Sequence, residues 1–204
     1  MKILNVIQGS DEWLKARLGV ATASNFSKIV TSTGVIAKPH TEHALDLAGE
    51  TLLDEPEDSY KSADMERGNE LEPLAREAYE EYNFCTVTEV GLMLSDCGDW
   101  GYSSDGLVGE EGLIEIKCPK AKNHAKYLAG GKCPTAYIAQ VQGGLMISDR
   151  KWCDFVSYHP DFKEGQQLFV CRVFRDEDFI IKLETNIKIT IAKRDEILKN
   201  INNK

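Results

Sequence analysis

The order of periodicities along this chain predicts an α/β (α+β) fold, a central mixed β-sheet flanked by helices. Three observations carry that prediction. Helix-period apolar stripes fill the first part, strand-like segments fill the middle, and a helical stripe then separates two more strand-like runs ahead of a last helix. With 204 residues, 42% of them hydrophobic, the chain has enough material for one sizeable core. One domain is expected over 1–204, with a helical part over about 1–83 and a sheet with closing helices over about 84–204.

The first helix is expected over 10–18, capped by Ser10 or Asp11, with Trp13, Leu14 and Leu18 as a partial stripe. Thr22-Ala23-Ser24 opens a second, ahead of Phe26, Ile29 and Val30. Turn residues Gly34 and Pro39 lead to a third over 43–53, ended by the acidic loop Asp54-Glu55-Pro56-Glu57-Asp58. A fourth spans 65–82 on the stripe Leu71, Leu74, Ala75, Ala78 and Tyr79, where Pro73 marks a kink or a fresh first turn. Strands are expected over 85–90, 92–94, 100–105 and 113–118. A helix over 137–147, strands over 151–158 and 168–175, and a helix over 184–200 complete the chain.

Composition limits the function. No apolar run approaches the length of a membrane span, and the N-terminus lacks a secretory pattern, so a soluble, cytoplasmic protein is expected. The six cysteines make no C-x-x-C pair and read as reduced, mostly buried thiols rather than a zinc site or disulfide framework. His40, His43, His124 and His159 do not space like metal ligands and need no special role. A net charge of −9 argues against a uniformly basic nucleic-acid surface. Distribution matters more, because Lys117, Lys120, Lys122, Lys126 and Lys132 cluster in one stretch.

That stretch begins at the most informative element. Asp105-Gly106 is followed ten residues on by Glu115-Ile116-Lys117, with a turn-like segment over 108–112 between them. A hairpin would bring the two carboxylates together. In an extended strand Glu115 and Lys117 share one polar face with Leu113, while Ile114 and Ile116 point to an apolar layer. Paired carboxylates beside an amine suit cation-assisted phosphodiester cleavage.

Ser104-Asp105-Gly106 with Glu115-Ile116-Lys117-Cys118-Pro119 resembles the core of the PD-(D/E)XK nuclease superfamily, a restriction-endonuclease-like fold. Three more blocks resemble the phage lambda exonuclease, or YqaJ-type viral recombinase, family. They are Trp13-Leu14-Lys15-Ala16-Arg17-Leu18-Gly19 running into Thr22-Ala23-Ser24, then Arg67-Gly68-Asn69-Glu70-Leu71-Glu72-Pro73-Leu74-Ala75-Arg76, then Tyr137-Ile138-Ala139-Gln140-Val141-Gln142. The likeness runs from about Gln8 to Arg175.

The resemblance implies a single nuclease domain in which Asp105, Glu115 and the Ile116 carbonyl bind Mg²⁺, with Mn²⁺ able to substitute and two ions per site. Lys117 would orient the attacking water, Glu72 hold a metal-bound water, and Gln140 anchor hydrogen bonds at the nucleophile or phosphate. Arg17 and Ser24 would receive the 5′ phosphate of a duplex end, where a guanidinium fork and a helix start suit an anion. Met65 would act as an apolar wedge, and Trp13 would pack against the end.

The activity so implied is 5′-to-3′ digestion of one strand of double-stranded DNA, leaving 3′ single-stranded tails for recombination. A ring-shaped homotrimer, a single-strand annealing partner, and a phage or prophage origin in a bacterial host cytoplasm follow from the same resemblance. An endonuclease or junction resolvase of the superfamily and a non-catalytic DNA-end-binding module are the alternatives. Intact Asp105, Glu115 and Lys117 weigh against the module.

Overall fold

The computed structural model describes residues 1–56 and 63–203. Four short strands, β1 (Lys2–Leu4), β2 (Ala21–Thr22), β4 (Leu92–Leu94) and β5 (Trp100–Ser103), form one sheet in the order β1-β4-β5-β2. A five-stranded sheet contains β3 (Val87–Thr88), β6 (Gly106–Val108), β7 (Gly112–Lys117), β8 (Trp152–Tyr158) and β9 (Leu168–Phe174), in the order β3-β6-β7-β8-β9. Both sheets mix parallel and antiparallel pairs, and helices flank them. The mixed-sheet architecture expected from the sequence is therefore present.

The hairpin is present too: β6 and β7 pair antiparallel with Gly106 opposite Ile114. Next to it β7 and β8 run parallel, with Glu115 opposite Phe155. Parallel neighbours need a crossover. The intervening chain supplies one through α4 (Ala121–Gly130) and α5 (Ile138–Ser148).

Strand β7 feeds two cores. Leu113 joins a cluster with Phe26, Leu47, Leu145, Phe155 and Leu183. Ile114 and Ile116 join another with Ala75, Tyr79 and Val156, under α3 (Ala63–Asn83). Each such side chain contributes about 1.5–3 kcal/mol when fully buried. The face that carries Leu113 is not polar along its length; it becomes polar only at Glu115 and Lys117, toward the strand end.

Several boundaries differ from expectation for physical reasons. Helix α1 (Asp11–Lys15) is short, and Ser10 is its cap, accepting from the Trp13 N–H at 3.2 Å. The segment after Thr22 is a 3-10 helix over Ala23–Lys28. Helix α2 (His40–Thr51) starts directly after Pro39. Helix α3 runs unbroken through Pro73. It is tied to the sheet on either side of that proline, by Arg67 to the Cys118 carbonyl at 2.7 Å and by Tyr79 to Asp154 at 2.7 Å.

Helix α6 (Glu177–Asn202) begins earlier than expected, because Asp176 caps it by accepting from the Phe179 N–H, and Phe179, Ile180 and Leu183 extend its buried stripe. Its inner face packs against α2. Of the cysteines only Cys133 and Cys153 are buried, and Cys97 is exposed, so the expectation of mostly buried thiols is corrected. The thiols are free. No helix among the described residues is long and apolar enough to cross a membrane.

The unassigned middle of the lysine stretch, with Lys122 and Lys126, is helix α4, and His124 anchors it, contrary to the expectation that no histidine has a role. In its fully buried ring the Nε2–H donates a hydrogen bond to the Gln166 carbonyl at 2.9 Å, and Nδ1 accepts from the Ser157 hydroxyl 2.8 Å away. Burial lowers its pKa, which keeps this neutral arrangement.

Candidate active site

Asp105 stands in the turn between β5 and β6, and its Oδ2 accepts from the Ile116 N–H at 2.6 Å. One carboxylate is thereby tied to the strand that carries the other. Gly106 follows because nothing larger fits: a Cβ there would lie 2.1 Å from the Val87 side chain. Glu115 is only 1% exposed. Lys117 Nζ at 2.5 Å and Gln140 Nε2 at 2.6 Å both donate to its Oε1, and the Tyr102 hydroxyl donates to Oε2 at 3.0 Å. Those donors come from β7, α5 and β5, so three elements fix one side chain.

A cleft of about 410 Å³ opens over this end of the hairpin. Asp105, Ile116 and Lys117 line its floor together with Cys118, Pro119 and Lys120. Arg67, Gly68, Asn69 and Glu72 of α3 form one wall, and Gln8, Asn123 and Tyr137 complete it. Part of the lysine run therefore borders the cleft at Lys117 and Lys120, beside two acids.

The cleft sets acids beside cations: Asp105 and Glu72, with Glu115 behind them, lie among Arg67, Lys117 and Lys120. Burial, and then the neighbouring charge of Glu115, pushes the Asp105 carboxyl well above its ordinary range. Burial also raises Glu72. Burial pulls Lys117 down, but the charges of Glu115 and Asp105 outweigh it, and its pKa is raised, so it stays an ammonium. Burial followed by the Glu115 charge holds the Tyr102 phenol well above its ordinary value, as a neutral donor. Cys118 is pushed up to about 11 by burial, so it does not offer a thiolate.

No three acidic, histidine or cysteine side chains gather as a complete metal cage among the described residues. Asp105 and the Ile116 main chain on the cleft floor, with the Glu115 carboxylate just behind them, are nonetheless a fitting set for Mg²⁺ or Mn²⁺. Such ions take hard oxygen donors, use one or two carboxylates, and keep waters and phosphate oxygens as their other ligands. Burial and the Glu115 charge hold the proton on Asp105 despite the Lys117 ammonium, and a bound divalent cation would favour its release.

The other sequence-derived residues fall in distinct places. Glu72 lines the cleft, and Arg76 binds its Oε1 at 2.8 Å. Gln140 reaches Glu115 itself, a role not foreseen, since the sequence suggested a contact at the nucleophile or phosphate. Arg17 donates to Thr22 Oγ1 at 3.2 Å and Ser24 Oγ at 3.5 Å, so these residues share a corner. Trp13 lies beneath the Arg17 guanidinium, 3.9 Å from ring centre to carbon, and its indole N–H donates to Ser103 at 2.8 Å. Met65 belongs to the first turn of α3; its side chain, like Glu57 and Asp58 of the acidic loop, lies outside the described residues.

Sequence reasoning missed three residues here. Tyr102 resembles any core aromatic on a strand, and only the fold turns its hydroxyl to Glu115. Arg76 looks like a helix-surface cation until it is seen holding Glu72. Arg67 stood within a recognised block without a role, yet it lines the cleft and secures the chain after β7 through the Cys118 and Pro119 carbonyls.

The hairpin that joins two buried carboxylates to a lysine, on a mixed sheet flanked by helices, sits in a fold shared with exonucleases of known structure. The crystal structure of an alkaline exonuclease from Laribacter hongkongensis matches with a TM-score of 0.87 and 35% identity, over 95% of this chain and 97% of that one. The same enzyme in complex with dAMP matches with a TM-score of 0.85 and 36% identity, over 94% and 96%.

More particularly, the chain belongs to the family of the YqaJ-like viral recombinase domain, whose model matches residues 12–151. A phage related exonuclease from Haemophilus somnus 129PT, 14% identical over 89% of this chain and 96% of that one, shares the fold with a TM-score of 0.69. Among curated proteins, uncharacterized protein R354 of Acanthamoeba polyphaga mimivirus is 27% identical over 183 residues, 83% of this chain. The chain spans 32% of that protein's length.

Proposed function

We propose that the protein is a Mg²⁺-dependent exonuclease that digests one strand of double-stranded DNA from its 5′ end and leaves 3′ single-stranded tails for recombination. The observation that carries this reading is the joining of Asp105, the Ile116 main chain and Lys117 on one cleft floor, with Glu115 fixed behind them. The alkaline-exonuclease match over nearly the whole chain supports it, and the dAMP complex of that relative suits a mononucleotide product.

Asp105, Glu115 and the Ile116 carbonyl would hold Mg²⁺, in a two-ion arrangement for which Mn²⁺ can substitute. When bound, the ions supply charge neutralisation at the phosphate and acidify the attacking water. Lys117 donates hydrogen bonds to that water and to the scissile phosphate, offsetting the charge that builds there. Gln140 keeps the Glu115 carboxylate in place. Glu72, held by Arg76, accepts from water on the opposite wall. Water attacks phosphorus, the P–O3′ bond breaks, and the released nucleoside 5′-monophosphate leaves a fresh 5′ phosphate on the strand.

Arg17 and Ser24 would bind that terminal phosphate, while Met65 separates the end base pair and Trp13 supports Arg17 from below. A single nuclease domain over 1–204, assembly as a ring-shaped homotrimer, a single-strand annealing partner, and action in the cytoplasm of a bacterial host carrying a phage or prophage complete the proposal; these rest on the family resemblance.

The test is nucleotide release from linear duplex with 5′-phosphoryl or 5′-hydroxyl ends and from closed circles, with Mg²⁺ or chelator, for the wild type and Asp105→Ala. Mg²⁺-dependent release of mononucleotides from linear duplex alone, lost in the variant, is expected. Cutting of circles would replace the reading with an endonuclease, and binding without cleavage would replace it with an end-binding module.

A further inference from the structure

Glu115 has two carboxylate oxygens, and the mechanism above accounts for the donors to only one. Lys117 and Gln140 both donate to Oε1, while Oε2 is held by the Tyr102 hydroxyl at 3.0 Å. Tyr102 is 1% exposed and belongs to the main core, so it has no route to a nucleic acid. We propose that Tyr102 is the positioning residue that sets the rotation of the Glu115 carboxylate, and thereby the affinity of the site for its divalent cation. This inference rests on the proposed nuclease reading.

A carboxylate on a flexible glutamate stem presents lone pairs in a defined direction only if both its oxygens are restrained. With one oxygen bound, the group still swings about that contact; a donor on the second oxygen removes the swing. Such outer partners are where metal sites are tuned, and their loss typically costs about 10–100-fold in metal affinity or activity. The Tyr102 ring is itself tightly placed. A Cβ at Gly144 of α5 would come within 2.6 Å of a ring carbon, so the helix offers the phenol a seat that only glycine leaves open. Gln140, one turn earlier on α5, donates to the same glutamate. One helix thus sets both restraints, directly through Gln140 and indirectly through the space left at Gly144.

The test compares wild type, Tyr102→Phe and Gly144→Ala. Mg²⁺ and Mn²⁺ dissociation constants are measured by calorimetry without DNA, and kcat and KM for linear duplex are measured across Mg²⁺ concentration. Tyr102→Phe keeps the ring and removes only the hydroxyl. It is expected to weaken cation binding about 10–100-fold, to leave KM for DNA unchanged, and to recover rate as Mg²⁺ is raised. Gly144→Ala is expected to weaken cation binding in the same direction, and to add little when combined with Tyr102→Phe, because both act through one contact.

A Tyr102→Phe protein that binds the cation as tightly as wild type overturns the inference, whatever its melting temperature, since a merely structural tyrosine would change stability alone. A wild type that binds no cation and releases no nucleotide overturns the underlying reading instead. The two failures are therefore distinguishable.

Discussion

The cleft floor and the Arg17 corner both hold desolvated charge, but the floor is built around buried acids, the corner around a base, and the two differ in rigidity. On the floor, Glu115 is held through contacts of 2.5 to 3.0 Å from three structural elements, and Asp105 is tied to the Ile116 N–H. At the corner, Arg17 reaches Thr22 and Ser24 through contacts of 3.2 and 3.5 Å, Ser24 is exposed, and no carboxylate stands within ion-pair distance of the guanidinium among the described residues. Burial raises the acid on the floor and lowers the base at the corner. One region is a rigidly held pair of acids with an ammonium beside them; the other is a loosely held base on which the charge of Glu50 acts. Preorganised donors matter most where charge develops during reaction, whereas a terminal phosphate is held equally before and during the step.

If the floor acts on the transition state, Lys117→Met gives the largest effect on turnover short of removing a carboxylate that would hold the cation. It removes the ammonium and keeps an apolar stem of similar length. Loss of one such donor costs about 10²–10³ in kcat, with KM for DNA nearly unchanged. A change confined to KM would mean that Lys117 binds substrate in the ground state, and would erase the distinction between the two regions.

The next effect concerns stability and has a definite sign. Asp105 keeps its proton in the folded state to a pH well above the ordinary value of 3.8. Between those limits the folded state binds more protons than the unfolded chain, so stability falls as pH rises through that window. The contribution of Asp105 to the melting temperature of the metal-free protein is expected to decline from about pH 4 upward, so that Asp105→Asn gains on wild type as pH rises while abolishing cleavage. Mg²⁺ should oppose the decline in wild type alone, by stabilising the folded carboxylates. An unchanged pH profile in Asp105→Asn would locate the imbalance elsewhere.

The two regions were also unequally legible in the sequence. The hairpin could be read because period-2 alternation around Glu115 and a turn-like segment before it are local signals, and the fold pairs Gly106 with Ile114 as such a hairpin would. Strand β2 could not be read, because two residues carry no periodicity; it exists through pairing with β5, distant in the chain. Helix α4 was hidden by lysines and by a histidine whose partners, Ser157 and the Gln166 carbonyl, lie on later segments. Tyr102 was hidden for the same reason: the group that gives its hydroxyl meaning is thirteen residues away on another strand. Local periodicity places elements, whereas the donors that complete a site are set by tertiary packing.

The smallest effect separates the corner from the floor most sharply. Arg17→Ala is expected to raise KM for 5′-phosphorylated duplex about tenfold, equivalent to about 1.4 kcal/mol, and to leave kcat and the 5′-hydroxyl substrate almost unaffected. Removing a guanidinium that contacts the phosphate in both ground and transition states should act as a loss of uniform binding. The ratio of KM values for the two ends is the informative measurement, since it cancels any general weakening of the fold. If that ratio in Arg17→Ala equals the wild-type ratio, the corner does not read the phosphate, and the desolvated guanidinium serves only its stack on Trp13. If the ratio collapses toward one while kcat holds, the positive corner recognises the end and the negative floor performs the chemistry, with Trp13 and Ser103 as the physical link between them.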